Sequence, residues 1–144
     1  MSDQVEAVAG KQVDPEVQSG ARWFWWIAGL SLVNAVMYYT GSDVSFVVGL
    51  AMTALTSLFF TNMVVAFVVI AMLIGFYFAM GYLAQQGVLW AFYAGLGVYV
   101  VDGLIYLMFQ DWMSVAFHVF AGFSIVKGML RAQKLNAQTA TTAA

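Results

Sequence analysis

The sequence contains no cysteine. That excludes disulfide bonds, thiolate metal ligation and a cysteine nucleophile, and it leaves the redox compartment open. Proline occurs once and histidine once. Charge is also scarce: among 144 residues there are five basic and seven acidic side chains, 8% of the chain. A soluble domain carries about 25% charged residues, so a water-facing surface cannot be assembled from this set. All the charges except Asp43, Asp102 and Asp111 lie at or before Arg22, or from Lys127 onward. The net charge is −2 and there is no basic run, so no electrostatic basis for nucleic-acid binding exists.

In place of charge the chain carries apolar surface, with 63% hydrophobic residues. The long middle, with three charges in about a hundred residues, must meet something other than water, and the lipid bilayer is the expected partner. Met1 to Ala21 is polar, acidic and rich in small residues. It lacks the basic start and short apolar stretch of a signal peptide, and residues 1–21 read as a disordered tail. Gln133 to Ala144 is rich in Ala and Thr, and 133–144 reads as a second tail. Residues 22–132 between them are expected to form the transmembrane bundle, with spans at about 22–40, 62–84, 88–110 and 112–131.

The first run, Trp23 to Thr40, rises about 27 Å as a helix, close to the hydrocarbon thickness. Trp23, Trp25 and Trp26 crowd one end beside Arg22, and Tyr38 and Tyr39 mark the other. Rings at both ends suit two membrane–water interfaces. The stretch 44–60 is ambiguous. Ser45, Gly49, Thr53 and Ser57 recur every four residues and form one small, polar stripe on a helix. Such a stripe serves as a packing seam against another transmembrane helix, or as the polar face of a helix at the membrane surface. Ala71, Gly75 and Ala79 give a second seam in the third run. Trp90 opens the fourth run and Trp112 the last, which ends in Lys127, Arg131 and Lys134. These aromatic and basic residues, with Arg22, are expected to be interface anchors.

The later connections are a few residues long, which favours antiparallel neighbours. The expected fold is all-α: an integral membrane helical bundle of four transmembrane helices plus a short amphipathic or re-entrant helix at 44–60. The alternative is five transmembrane helices. With four spans, Lys11, Arg22, Lys127, Arg131 and Lys134 share one side with both termini, and the positive-inside rule makes that side cytoplasmic.

Asp102 is the single acid inside a hydrophobic run, and His118 is the single histidine. They sit nine residues before and seven after Asp111. In an antiparallel hairpin that puts them at nearly one depth, about 10–14 Å from the turn. Asn34 reaches that depth from the first run. Tyr99 and Tyr106 share a helix face with Asp102, and Ser114 lies one turn from His118. Intramembrane acids turn inward and find a partner, so these six residues form a candidate cluster. It reads either as a structural clasp between the last two helices or as a proton or ligand site. One His, one Asp and one Asn make too thin a shell for a metal, and no cofactor is expected.

Asp111-Trp112-Met113-Ser114, followed by Phe117-His118-Val119-Phe120-Ala121-Gly122 and preceded by Tyr99-x-x-Asp102-Gly103, resembles a group of small uncharacterised bacterial multi-span membrane proteins. The start from Arg22 to Ser31 is similar too. The resemblance covers nearly all of the hydrophobic part. It implies a bacterial plasma membrane and brings no activity with it. The last helix, with a histidine near glycines, also resembles that of rhomboid intramembrane proteases. Those need a serine in a Gly-x-Ser-Gly motif, which this sequence lacks, and neither Ser114 nor Ser124 has that setting, so the protease reading is rejected.

The leading expectation is therefore non-enzymatic: a structural or accessory subunit, as a homo-oligomer or with a membrane-complex partner. The alternative is a proton or small-solute carrier or channel element using the Asp–His pair, and an intramembrane enzyme comes third.

Overall fold

Asp14-Pro15-Glu16 is a strong helix start. In the computed structural model, which describes residues 14–41 and 50–143, the Asp14 carboxylate caps the first helix by accepting from the Glu16 amide at 2.9 Å, with Pro15 in the first turn. The helices are α1 (Pro15–Tyr39), α2 (Ala51–Phe59), α3 (Met63–Gln85), α4 (Leu89–Met108) and α5 (Trp112–Thr142). There is no strand among the described residues.

The turns follow from local chemistry. Gly87, at φ 76°, ends α3 with its amide donating to Ala84 and the Val88 amide to Leu83. Gln110 does the same work after α4 at φ 58°, an uncommon conformation for a residue with a Cβ. Asp111 next to it caps α5, accepting from the Ser114 amide at 3.2 Å and the Ser114 hydroxyl at 2.7 Å. Asn62 caps α3 through the Val64 amide.

α1 packs against α3 and α5, and α4 closes the ring by packing against both of those. All neighbours are antiparallel. Phe67, early in α3, stacks on Tyr39 at the end of α1, while Gly20 in α1 meets Gly128 late in α5. The core runs from Val17, Ala21 and Phe24 through Ile74, Tyr77 and Phe92 to Ile125 and Met129. Outside, large apolar side chains such as Val64, Met108, Met113 and Phe123 are mostly exposed. Inside lie Ser31, Thr53, Thr56, Asp102, Ser114 and His118. A bundle with oily walls and a polar centre is matched to lipid.

α3, α4 and α5 are long and apolar enough to cross a membrane. That is fewer than the four or five expected. α1 has the length, but its three Trp, Ser31, Asn34 and two Tyr make it less apolar. α2, nine residues and about 13 Å long, is too short to cross.

Both tail boundaries move. Residues 1–13 of the expected 1–21 tail lie outside the described residues, and 15–21 are the first turns of α1, with Val17 and Ala21 buried. At the other end α5 continues without a break through Thr142. Ala is the best helix former, the Thr139, Thr141 and Thr142 hydroxyls donate one turn back, and the Asn136 amide donates to the Gly87 carbonyl at 3.2 Å.

Asp14 also receives the Arg131 guanidinium at 2.8 Å, tying the start of α1 to α5. That hydrogen bond holds the Asp14 carboxyl below its ordinary value of 3.8. A depressed carboxyl stabilises the fold above its ordinary value and loses that contribution as pH falls through the lowered one. Protection of the Glu16 amide against hydrogen exchange should thus persist at about pH 4 and fade only in stronger acid. Asp14→Asn should keep the cap but abolish that acid step.

The expected seam at Ala71, Gly75 and Ala79 does not pack inside the bundle. All three residues face outward, and a Cβ on Gly75 would meet nothing within 4 Å. α3 is apolar all round, so small-residue spacing does not choose its inner face. Ile70, Ile74, Tyr77 and Ala84 do, because they fill the space towards α1. The close backbone contacts lie elsewhere. A Cβ on Gly20 would come 2.7 Å from the Gly128 Cα, and one on Gly95 2.6 Å from the Phe24 ring.

Candidate functional site

The site is built where α2 begins. Its N-terminal flank is Leu50, whose side chain offers no oxygen for a cap. The first amide groups of a helix have no partner within it, and here those partners come from other helices. The Leu50 amide donates to the Ser31 hydroxyl of α1 at 3.1 Å. The Ala51 and Met52 amides donate to the two oxygens of Asp102 in α4, at 2.9 and 2.8 Å. The Thr53 and Thr56 hydroxyls turn back onto the Leu50 and Met52 carbonyls. Asp102 thus caps α2 from across the bundle.

Ser31 lies eight residues before the end of α1, about 12 Å below that rim. α2 therefore starts well inside the bundle. It ends at the rim, where Phe59, Phe60 and Asn62 are exposed and α3 begins beside Tyr39.

His118 of α5 completes the seat. Its Nε2 lies 3.0 Å from Asp102 Oδ2, and its Nδ1 2.9 Å from the Ser114 carbonyl. A carbonyl only accepts, so Nδ1 carries a proton. Nε2 facing a carboxyl oxygen at hydrogen-bond distance requires a second proton between them. The pair accordingly holds one shared proton and has no net charge. Two α2 amides and the positive end of that helix point at the carboxyl, which favours the carboxylate–imidazolium arrangement. Asp102 is fully buried and His118 7% exposed. Tyr99 stacks flat on the imidazole, with centroids 4.3 Å apart, and Tyr106 leans on it at 5.2 Å. The Tyr99 hydroxyl is buried and has no hydrogen-bond partner among the described residues.

No family model, curated protein or solved structure matches the chain. Its chemistry must be read from the residues.

Five of the six cluster residues expected from sequence meet here: Asp102, His118, Tyr99, Tyr106 and Ser114. From α1, the Ser31 hydroxyl accepts from the Leu50 amide at this level, and Asn34, three residues on, is half-buried. Ser31 and the amides of Ala51 and Met52 were missed. Ser31 carries little signal, since one serine in an apolar run usually bonds its own helix. Backbone donors carry none.

Of the stripe at 44–60, Ser45 and Gly49 lie outside the described residues, as does the side chain of Ser57. Thr53 is buried. Among the anchors, Arg22, Trp25, Trp26, Trp90, Trp112, Lys127 and Lys134 are exposed. Trp23 instead packs edge-on against Phe117 and Phe120, and Arg131 is bound to Asp14. Among the described residues no group of three or more acidic, His or Cys side chains is placed to hold a metal.

Proposed function

We propose that this chain is a non-enzymatic, multi-pass membrane protein acting as a structural or accessory subunit, whose buried Asp102–His118 pair holds a re-entrant helix in place. The observation that carries this reading is the engagement of both Asp102 oxygens. Both carboxylate oxygens are committed, to two α2 amides and to His118. A group spent on three fixed hydrogen bonds serves positioning.

α1 is the fourth span. Its length, its tryptophans at one end and tyrosines at the other, and its antiparallel packing between α3 and α5 support this. Both termini then lie on the cytoplasmic side with the basic residues of α1 and α5, and the resemblance noted above favours a bacterial plasma membrane. Ala71, Gly75 and Ala79 form an outward strip of small residues on α3. It is where a second copy or another membrane helix would approach closely.

A second reading, a proton or small-solute carrier element, draws on the proton shared by Asp102 and His118. Vesicles reconstituted with wild type or Asp102→Asn and loaded with a pH-sensitive dye separate the two. The accessory reading expects leak no greater than in empty vesicles for both proteins. Proton or solute flux in wild type that the variant lacks would defeat it. The span count is tested by single cysteines at Asn62 and Gly41, since the parent has none. Labelling of both from one side of the membrane is expected, and labelling from opposite sides would restore the five-span alternative.

A further inference from the structure

We infer that one strip of the bundle wall, running from Phe117 to Lys134 on α5 beside Trp23 of α1, binds an anionic phospholipid of the leaflet at that end. The inference rests on the membrane-spanning reading above and not on the accessory role.

Two kinds of surface follow one another along a single line of α5. Phe117, Phe120, Lys127, Arg131 and Lys134 are separated by three, seven, four and three residues, spacings that keep them on one side of a helix. Contacts with α1 fix which side that is. Trp23 packs edge-on against Phe117 and Phe120, with centroids 6.0 and 5.5 Å away. Further along, Asp14 of α1 holds Arg131. Lys127 lies between these two contacts, along the same α1–α5 seam, and it is exposed.

Length and charge then name the occupant. Phe117 adjoins His118 and shares its depth. From there to Lys127 is ten residues, about 15 Å, or half the hydrocarbon thickness of about 30 Å. The apolar part of the strip is thus as long as one acyl layer, and its cations begin where phosphates lie. Trp23 and Phe117 are half-buried and Phe120 is exposed, so a lipid chain can lie along the rings. At the far end Asp14 pairs with Arg131, and Glu16 is near it too. Lys127 and Lys134 have no ion pair among the described residues. That leaves Lys127 as the unpaired cation nearest the hydrocarbon edge. Basic residues at this level attract the negative headgroups of anionic lipids.

Arg22 is an internal comparison. The Gly20–Gly128 contact places it at the depth of Lys127. Two residues turn a helix by about 200°, so Arg22 points away from α5, and it is exposed. A general pull on anionic lipids would use both cations, whereas a site on this strip uses Lys127.

The test is quenching of a fluorophore by lipids with brominated chains. The label sits on Phe123→Cys beside the strip or on Tyr82→Cys of α3, both exposed sites in a parent without cysteine. The protein is reconstituted in phosphatidylcholine vesicles with a fixed minor share of phosphatidylglycerol. Bromine is carried either by the phosphatidylglycerol or by an equal share of the phosphatidylcholine. At Phe123→Cys the anionic lipid should quench about threefold more than its share predicts, and at Tyr82→Cys no more than its share. Lys127→Gln should remove the preference, while Lys127→Arg and Arg22→Gln should keep it. Equal preference at both labels, or a preference that survives Lys127→Gln, overturns the site. So does a preference lost equally with Arg22→Gln, which would be a general field. Displacement by inorganic phosphate at constant ionic strength overturns it in favour of a soluble anion. A Phe123→Cys label quenched by neither lipid, with Tyr82→Cys quenched, overturns it in favour of a protein surface covering the strip. No quenching at either label overturns the membrane-spanning reading, and the site with it.

Discussion

Asp102→Ala should destabilise the bundle by about 3–5 kcal/mol, read as loss of unfolding free energy in mixed micelles titrated with a denaturing detergent. Interhelical hydrogen bonds in membrane proteins average only about 0.6 kcal/mol, because a helix separated in lipid still finds other partners. Two features place this site above that average. The Ala51 and Met52 amides are at the start of a helix that has no cap of its own, and hydrocarbon offers them no water. His118 keeps its Nδ1 bond to the Ser114 carbonyl, but its buried Nε2 loses its partner.

His118→Leu should cost a comparable amount by the converse route, leaving the carboxylate with two amides and no counter-ion. The double variant Asp102→Ala with His118→Leu leaves neither side chain without its partner. Its loss should fall short of the sum of the single losses by at least about 1 kcal/mol. Strictly additive losses would mean that the contact at 3.0 Å carries no coupling, and the clasp would have to be abandoned.

Gly20→Val and Gly128→Val should each destabilise by about 3 kcal/mol or more, at the upper end for overpacking. Each glycine faces the backbone of the other: a Cβ on Gly128 would lie 2.7 Å from the Gly20 Cα and 3.2 Å from the Glu16 carbonyl oxygen. Two backbones cannot rotate out of the way as a side chain can, so α1 and α5 must separate. Separation would also stretch the Asp14–Arg131 pair one turn beyond. Either valine alone forces the helices apart, so the double variant should cost little more than the worse single one. Gly97→Ala is the control. It has nothing within 4 Å, so it should lose no stability and gain up to about 1 kcal/mol from helix propensity. Equal losses at Gly97 and Gly128 would show that helix propensity, not the α1–α5 contact, governs these positions.

These two sites differ in how far the sequence announced them. Asp102 and His118 stood out because each is alone of its kind in apolar surroundings, and their spacing about Asp111 put them at one depth. The turn itself was legible, since Asp111 is a good cap and the chain on both sides is helical. Gly20 and Gly128 were not legible as partners. Each lies in its own helix with no local reason to be small, and 108 positions separate them along the chain. The seam that was singled out, Ala71-Gly75-Ala79, has better spacing yet faces outward. Spacing says which residues share a helix face, but in a helix apolar all round it does not say which face turns in.

The ends of the bundle teach a related lesson. Asp14-Pro15-Glu16 is a capping signal in the sequence, but the polar, acidic composition around it pointed towards disorder. What extends α1 to that point includes Arg131 on a different helix. Gln133 to Thr142 looked loose by composition and is helical because Ala-rich sequence continues an established helix at little cost.

The sequence by itself determined that this chain is helical and made for lipid, because scarcity of charge and long apolar runs leave no surface for water. It also determined that its few buried polar groups must meet one another, because hydrocarbon offers them nothing else. Only the tertiary structure decided that the acid's main partners are two backbone amides of a short helix starting inside the bundle. Every residue carries such a donor, and no pattern of side chains records which of them a fold leaves unpaired at depth.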